Sequence, residues 1–281
     1  MWTITIIAHL ICNTGNNIVL RYASSDRKID TLVLAAVTST AVAVPAVFGI
    51  FIAEIEWGAY NTQNMPPYVF CTVIAIIYYI VYAKALEKTE ASIFSFIYSF
   101  RIGFATFFGI VFLGESMTPL GMMGGALIFL AGVFLIKRSV IQPAGILFSL
   151  LSALSISLIN ITEKHLITVM GFATFMFPWS LITAGLMWII VLILKRPVSK
   201  LFKDIKVFIV LMTVRCISAY GFTLSLALGA FVSIATYISS LNCVTTPIAA
   251  LLILKEKENL RKKLIAGATA LIGITLIFLA S

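Results

Sequence analysis

The stretch VFCTVIAIIYYIVYAKALEKTEASIFSFIYSFRIG (residues 69–103) returns in altered form as VLMTVRCISAYGFTLSLALGAFVSIATYISSLNCV (residues 210–244). The gap-free match extends over residues 69–136 and 210–277, where fifteen of 68 positions are identical. Apolar composition alone produces some identities, but polar and glycine matches arise less easily. The polar and glycine pairs include Thr72/Thr213, Tyr79/Tyr220, Ser92/Ser233, Ser99/Ser240, Glu115/Glu256 and Gly132/Gly273. The sequence therefore contains one unit twice, with an offset of 141 residues.

The composition points to lipid as the main solvent. Of the 281 residues, 61% are hydrophobic and only 11% are charged, whereas soluble domains carry about 25% charged residues. A helix needs roughly 20 apolar residues to cross a bilayer, and backbone groups in lipid must bond internally. We predict ten membrane spans, at residues 3–20, 31–53, 67–86, 90–114, 118–136, 143–162, 166–194, 207–229, 230–254 and 262–280.

The number of spans in each half fixes the expected fold. Five is odd, so the second half must enter the membrane in the opposite sense to the first. Inverted repeats of this kind are typical of secondary transporters, which bind substrate near the midplane between the repeats. We predict an all-α polytopic membrane protein whose ten transmembrane helices form two inverted five-helix repeats, at residues 1–140 and 141–281.

Several function classes are disfavoured by the sequence. The net charge of +9 comes from short loops between spans, so membrane topology explains it better than nucleic-acid binding does. The four cysteines have no C-x-x-C spacing, and neither a Walker loop nor an H-E-x-x-H or G-x-S-x-G motif occurs. We expect no cofactor, no metal and no enzyme activity. An intramembrane enzyme is the weak alternative, since His9 and His165 lie on different spans.

The basic residues are distributed unevenly between the loops. Seventeen of the twenty Lys and Arg residues lie in or beside the loops that follow odd-numbered spans. The positive-inside rule places these loops in the cytoplasm and both termini outside it. We expect a bacterial or archaeal cytoplasmic membrane protein. Trp57, Tyr60 and Trp179 are candidate interfacial anchors.

Two arginines lie inside predicted spans, Arg101 in the fourth and Arg215 in the eighth. A charge at this depth costs at least about 2.5–3.5 kcal/mol on insertion scales. One interpretation is that they line a polar cavity and bind a carboxylate or phosphate, which the guanidinium fork suits. The other is that they bond to backbone carbonyls or pair within the bundle. No acid is predicted at this depth, so the cavity would favour an anionic or zwitterionic solute over a cation.

The first span carries a polar strip formed by His9, Asn13, Asn16 and Asn17, which share one helical face. This strip must face the bundle, where it either lines the cavity or bonds to other helices. His9 could also carry a proton, because imidazole titrates near neutrality. The complete set of candidate substrate-binding residues is Arg101, Arg215, Tyr98, His9, Asn13, Asn16, Tyr79, Tyr82, Asn160, Tyr220, Tyr237, Ser240 and Asn242.

Two further features have competing interpretations. Glu163, Lys164 and His165 follow the sixth span, where they form either a gate or, more simply, an interfacial turn. Glu115 and Glu256 follow the fourth and ninth spans and are expected to interact with the start of the next helix.

The segments ALEKTEASIFSF and FLGESMTPLGMMGGALIFLAGVFLI, with their counterparts LALGAFVSIATYI and LLILKEKENLRKKLIAGATALIGITLIFL, resemble the EamA-type repeat of the drug/metabolite transporter superfamily. CNTGNNIVLRY resembles that family's polar first helix, which ends in a basic residue, here Arg21. The resemblance implies alternating access, with a cavity lined by spans 1, 3, 4, 6, 8 and 9.

The resemblance does not name a substrate, because the superfamily carries amino acids, metabolites, phosphate esters and drugs. We predict a secondary transporter of a small polar metabolite such as an amino acid, organic acid or phosphorylated metabolite. The alternatives are a flippase for a lipid-linked phosphate and an exporter of cationic or neutral drugs. Its expected partners are the small-molecule substrate and membrane lipid, in a monomer or weak homodimer. Many members of the superfamily have cytoplasmic termini, so the predicted orientation departs from them.

Overall fold

The computed structural model describes residues 2–113, 118–136, 142–199, 204–230, 232–255 and 260–280. Within these ranges the chain is helical and contains no strand. The helices are α1 Trp2–Ser25, α2 Thr31–Ile52, α3 Met65–Lys88, α4 Ala91–Tyr98, α5 Arg101–Leu113, α6 Pro119–Ile136, α7 Pro143–Met170, α8 Phe172–Ile193, α9 Ile205–Ala227, α10 Val232–Ser240, α11 Asn242–Ala249 and α12 Leu260–Ala280. A 3₁₀ turn at Trp57–Ala59 and a π-helix at Ala250–Leu254 complete the described elements.

Eight stretches within the described ranges are long and apolar enough to cross a bilayer. They comprise α1, α2, α3, α7, α8 and α9, together with the stretches Ala91–Gly109 and Ala235–Leu254. Large apolar side chains lie exposed on the outside of the bundle, for example Phe51 at 85% and Ile52 at 84% exposure. Contiguous apolar surface of this kind requires lipid. The chain is an integral membrane protein, and the ten-span prediction is consistent with α6 and α12 as the remaining two spans.

The boundary between the sixth and seventh predicted spans is wrong. The sequence predicted a break at residues 163–165, but α7 continues to Met170 and ends at Gly171. Gly171 has a φ of +83°, a conformation that residues with a β-carbon rarely adopt. Charged residues suggested the break, yet the helix accommodates them because Glu163 points inward and Lys164 reaches another helix.

The fourth and ninth predicted spans are each broken in two, at matching places. The first break lies at Ser99–Phe100 and the second at Leu241, and Arg101 and Asn242 begin the helices that follow. Ser99 Oγ donates to the Phe96 carbonyl at 2.6 Å, and Ser240 Oγ donates to the Thr236 carbonyl at 2.7 Å. Hydroxyls that bond backward to carbonyls bend helices. Because the offset between the breaks is that of the repeat, the bend belongs to the repeated unit.

The contacts between helices also repeat from one half of the chain to the other. Helix α3 packs on α7 as α9 packs on α1, and α4–α5 contact α7 as α10–α11 contact α1. The pairs α2–α8 and α6–α12 each join one element to its own repeat partner. Swapping the halves leaves this list of contacts unchanged, which is what a pseudo-two-fold relation between the repeats produces.

The contacts at the helix ends show that α1 and α7 run in opposite senses. Near the end of α1, Arg21 Nη1 donates to the carbonyls of Leu86 and Glu87 at 2.9 and 2.8 Å. The start of α7 lies at this same end, because a β-carbon at Gly145 would sit 3.2 Å from the Lys88 carbonyl oxygen. At the opposite end, a β-carbon at Gly221 would sit 2.8 Å from the Thr5 carbonyl oxygen.

Two ion pairs bring basic loops onto one face of the bundle. Arg27 Nη1 lies 3.5 Å from Asp204 Oδ1, and Arg196 Nη1 lies 3.5 Å from Asp30 Oδ2. These pairs join the loop after the first predicted span to the loop after the seventh. Asp30 also caps α2 by accepting from the backbone nitrogen of Leu32 at 2.9 Å.

Candidate functional site

A polar cavity of about 60 Å³ lies between the two halves. A buried water needs roughly 10–15 Å³ of such space, so the cavity has room for a few waters or a small polar group. Its lining residues are His9, Asn13, Val42, Ala75, Tyr78, Tyr79, Tyr98, Arg101, Ile156, Ile159, Asn160, Glu163, Met176, Trp179, Arg215, Ala219, Phe222 and Thr223. Both repeats contribute polar side chains to this single space.

A larger cavity of about 220 Å³ lies beside α11, the π-helix and α12. Its lining includes Cys243, Pro247, Leu251, Leu264 and Leu271 and contains no ionisable group other than the cysteine thiol. A polar solute would find almost no hydrogen-bonding partner there. The smaller polar cavity is therefore the candidate site, despite its lower volume.

Arg101 is held firmly at the junction of the two halves. Its Nη2 donates to Ser239 Oγ at 2.8 Å, and its Nε donates to Ser240 Oγ at 3.3 Å. The guanidinium lies 4.6 Å from the centre of the Tyr98 ring, a cation–π distance. The Arg101 carbonyl in turn accepts from Ser157 Oγ at 3.0 Å. Arg101 therefore connects α4–α5 to α10 and α7, and two of its donor nitrogens are occupied.

His9 is linked to Arg101 through one serine. His9 Nδ1 lies 2.7 Å from the Ser218 carbonyl oxygen, which can only accept, so Nδ1 carries a proton. His9 Nε2 lies 2.5 Å from Ser239 Oγ, the same oxygen that accepts from Arg101. In the neutral imidazole Nε2 accepts from the serine hydroxyl, giving a continuous chain from Arg101 through Ser239 to His9. This tautomer is assigned from the hydrogen-bonding partners.

Arg215 is buried but weakly satisfied. Only 9% of the residue is exposed, and its one side-chain hydrogen bond within the described ranges runs from Nη2 to Tyr79 Oη at a long 3.4 Å. The guanidinium also lies 5.3 Å and 5.9 Å from the ring centres of Tyr79 and Tyr78. The Nε group of Arg215 meets no hydrogen-bond partner among the residues that the structure describes. A buried charge without an ionic partner is unfavourable unless another group completes it.

Glu163 lines the same cavity, which overturns the expectation that no acid lies at this depth. The residue is 4% exposed, and among the described residues its carboxylate accepts one hydrogen bond, from Thr223 Oγ1 at 3.3 Å. It forms no ion pair with Arg215 within 4.0 Å among the contacts of the described residues. A usable signal existed in the sequence, because Asn160 and Glu163 are spaced to share one helical face with Ile156 and Ile159.

Trp179 also lies inside the bundle, contrary to its prediction as an interfacial anchor. It is 5% exposed, stacks on Phe175 at 5.5 Å between ring centres and lines the cavity. Its indole nitrogen has no hydrogen-bond partner in the described part of the chain. A buried indole N–H normally finds an acceptor, so this group is a further donor available to a solute. Trp57, by contrast, is 65% exposed, as an anchor would be.

The structure divides the predicted site residues into two groups. Seven line the cavity: His9, Asn13, Tyr79, Tyr98, Arg101, Asn160 and Arg215. The other six lie outside its lining: Asn16, Tyr82, Tyr220, Tyr237, Ser240 and Asn242. Substrate contact by any of the thirteen stays a prediction. The sequence missed Tyr78, Thr223, Ser218 and Ser239, because a hydroxyl in an apolar helix carries no signal of which neighbour it meets.

Hydrogen bonds between helices explain most of the second group. Asn16 Nδ2 donates to Tyr82 Oη at 2.7 Å and ties α1 to α3. Asn242 Oδ1 accepts from Thr14 Oγ1 at 2.7 Å and ties α11 to α1. Tyr220 Oη donates to the Val42 carbonyl at 3.0 Å.

Tyr237 is buried in a second apolar cluster with Phe96 and Cys243. Glu115 and Glu256 lie outside the described residues. Their expected interactions with the helices that follow them therefore stay predictions.

The comparisons with known proteins agree with this architecture. The model of the EamA-like transporter family matches residues 1–137. A solved structure titled only "Crystal structure of protein" is similar, with a TM-score of 0.71 and 16% identity over 99% of this chain and 97% of that one. At this identity the likeness extends to the fold alone. No curated protein matches the chain.

Proposed function

We propose that this chain is a drug/metabolite-type transporter that carries a small anionic or zwitterionic solute by alternating access, on the strength of the match between residues 1–137 and the model of the EamA-like transporter family. The solute is a polar organic metabolite such as an amino acid, an organic acid or a phosphorylated metabolite. It binds in the polar cavity between the two repeats.

The observation that carries this proposal is the state of Arg215. A guanidinium offers five N–H groups in a planar fork, yet Arg215 makes one long bond and its Nε group is unpaired. A carboxylate or phosphate oxygen in the cavity would fill these donors with charge-assisted bonds, which are about twice as strong as neutral ones. The solute therefore supplies the ionic partner that Arg215 does not find among the described residues.

The position of the cavity supports alternating access. Its walls come from α1, α2, α3, α4 and α5 of the first half and from α7, α8 and α9 of the second. In inverted-repeat transporters the repeats rock around a site held between them. Arg101, Ser239 and His9 form bonds across the two halves, so they lie where such a movement would be sensed.

The cavity chemistry also bears on the alternatives. A cationic drug would meet Arg101 and Arg215, and like charges in a buried site are strongly unfavourable. A lipid-linked phosphate could use Arg215, and transfer of such a lipid between leaflets would favour the flippase instead.

The test uses purified protein in liposomes and radiolabelled amino acids, organic acids, sugar phosphates and quaternary amines. Uptake should occur for an anionic or zwitterionic class and be lost in Arg215→Gln. Arg27→Gln, which alters an exposed arginine of a loop, is the matched control and should transport normally. Uptake of quaternary amines alone, or normal uptake by Arg215→Gln, would contradict the proposal.

We also propose that both termini lie outside the cytoplasm. The loops after the first and seventh spans share one face through two ion pairs, and most Lys and Arg residues lie in loops predicted on that face. A single cysteine at the C-terminus of a cysteine-free variant should react with an impermeant maleimide in intact cells. Reaction only after permeabilisation would reverse the orientation.

A further inference from the structure

We infer that the solute is a zwitterion, and that Glu163 is the specificity-determining residue that binds its cationic group while Arg215 binds its anionic group. The inference rests on the proposed function and names the substrate class of the same cavity. It assigns a role to the acid that α7 carries into the cavity.

The first step is the incomplete bonding of Glu163. Its carboxylate receives one hydrogen bond, from Thr223 Oγ1 at 3.3 Å. That hydroxyl has one proton, and it also lies 3.2 Å from the Ala219 carbonyl, which competes for it. An ionised carboxylate can accept about four hydrogen bonds. Glu163 therefore presents unused acceptor capacity to the cavity.

The second step is the relation between the two charges. Glu163 and Arg215 line one cavity, but they do not meet as an ion pair within 4.0 Å in the described part of the chain. Two opposite charges in one enclosed space, each under-bonded and separated by a gap, match a solute that carries both charges. Such a solute completes both groups at once and leaves no net charge to be desolvated.

The third step concerns the other charged and titratable groups that face the cavity. Two nitrogens of Arg101 already donate to Ser239 and Ser240, and both nitrogens of His9 are bonded. The remaining polar wall consists of neutral amides, hydroxyls and one indole N–H, from Asn13, Asn160, Tyr78, Tyr79, Tyr98, Thr223 and Trp179. Arg215 and Glu163 are thus the two most weakly bonded charged groups of the cavity wall, one a cation and the other an anion, whereas Arg101 is held by two hydroxyls.

This arrangement disfavours solutes with a single kind of charge. A monoanion would fill Arg215 but leave Glu163 unpaired and close to a second negative charge. An amine would fill Glu163 but leave Arg215 unpaired, with Arg101 nearby. Leaving a buried polar partner unsatisfied discriminates more strongly between ligands than adding or removing apolar contacts does.

The experiment measures binding to the purified full-length protein by thermal shift and calorimetry. Two matched series serve as probes: alanine, propionate and ethylamine, and leucine, 4-methylpentanoate and isoamylamine. The wild-type protein should bind the amino acid of at least one series more tightly than its acid or its amine. In Glu163→Gln, the preference for the amino acid over the acid should fall at least tenfold, while the acid binds as well as or better than in wild type.

Two variants guard the interpretation. Glu163→Asp keeps the charge with a shorter reach and should retain part of the preference, which also covers the case in which Glu163→Gln does not fold. Glu54→Gln, an exposed acid outside the cavity, should leave the preference unchanged.

The outcomes separate the inference from the function on which it rests. If the wild type binds acid and amino acid equally and Glu163→Gln changes nothing, the zwitterion inference fails and the anionic transporter stands. If neither series nor any other anion binds the wild type, the proposed function fails. If amines bind best, both fail in favour of a cation site.

Discussion

The two halves of this molecule share a scaffold but not a chemistry. Both broken helices bend at the same place in the repeat, and the residue that follows each bend is polar. In the first half that residue is the cation Arg101, whereas in the second it is the neutral amide Asn242. Arg101 points into the cavity, while Asn242 bonds to Thr14 of α1. One repeated bend therefore provides a cavity charge in one half and a helix-to-helix contact in the other.

Arg215 and Glu163, the other two charged residues of the cavity, have no charged counterpart at the matching positions of the first half. The position of Arg215 is occupied by Ile74 in the first half, and the α7 segment that carries Glu163 corresponds to the end of α1. Tyr79 and Tyr220 are identical by the repeat, yet only Tyr79 lines the cavity. Symmetry thus builds the walls, and substitutions that break the symmetry supply the binding groups. Four changes test how far this asymmetry matters.

The largest effect is expected when the Arg215 cation moves to its symmetry position. Arg215→Ile combined with Ile74→Arg should abolish transport, since Ile74 does not line the cavity. Charge-assisted bonds contribute about 1.5–3 kcal/mol each, so losing the two that a guanidinium fork would form lowers affinity by roughly a hundredfold or more. Uptake into liposomes measures the change. Transport by the double variant would mean that the two positions are equivalent.

Making the two bends alike should have the next largest effect. Arg101→Asn copies the second half into the first and removes the bonds to Ser239 and Ser240. We expect uptake to fall about tenfold, because a network of side-chain hydrogen bonds contributes more than the sum of its separate bonds. Ser239, which bonds both Arg101 and His9, would no longer be held in place for His9. Asn242→Ala is the comparison, and it should lower stability more than transport. Unchanged uptake in Arg101→Asn would contradict the asymmetry.

The packing contact between α1 of the first half and α9 of the second should respond to a single methyl group. At Gly221 a β-carbon would sit 2.8 Å from the Thr5 carbonyl oxygen and 3.2 Å from the backbone nitrogen of His9. Gly221→Ala should therefore push α1 and α9 apart. Overpacking of this kind costs about 1–3 kcal/mol, and the melting temperature in detergent should fall. The control is Gly185→Ala, where a β-carbon meets no atom within 4 Å. Equal melting temperatures for both variants would overturn the prediction.

The smallest effect is expected where the halves agree. Arg21 donates to carbonyls at the end of α3, and Lys164 donates to the Leu226 carbonyl at the end of α9, at 3.1 Å. Cations at helix C-termini contribute about 0.3–1 kcal/mol. Arg21→Ala and Lys164→Ala should therefore lower the melting temperature by similar small amounts that add in the double variant. If the two variants lowered the melting temperature by amounts that differed severalfold, the C-terminal ends of α3 and α9 would not be equivalent.

Much of the fold was predictable because its causes are local. Long apolar stretches, the 141-residue offset and the odd number of spans per half indicate the helical bundle and its inverted repeat. The site was predictable only in part. Seven of thirteen candidate residues line the cavity, because the cost of a polar group in lipid indicates which residues face inward but not which other residues they meet.

The sequence by itself determined the membrane environment, the repeated unit and the presence of two interior arginines. Only the tertiary structure decided that Arg215 is left under-bonded, that Ser239 joins Arg101 to His9, and that Glu163 lies in the cavity. The physical reason is one of range. Hydropathy acts residue by residue along the chain, whereas cavity neighbours depend on how helices distant in sequence rotate and cross when they pack.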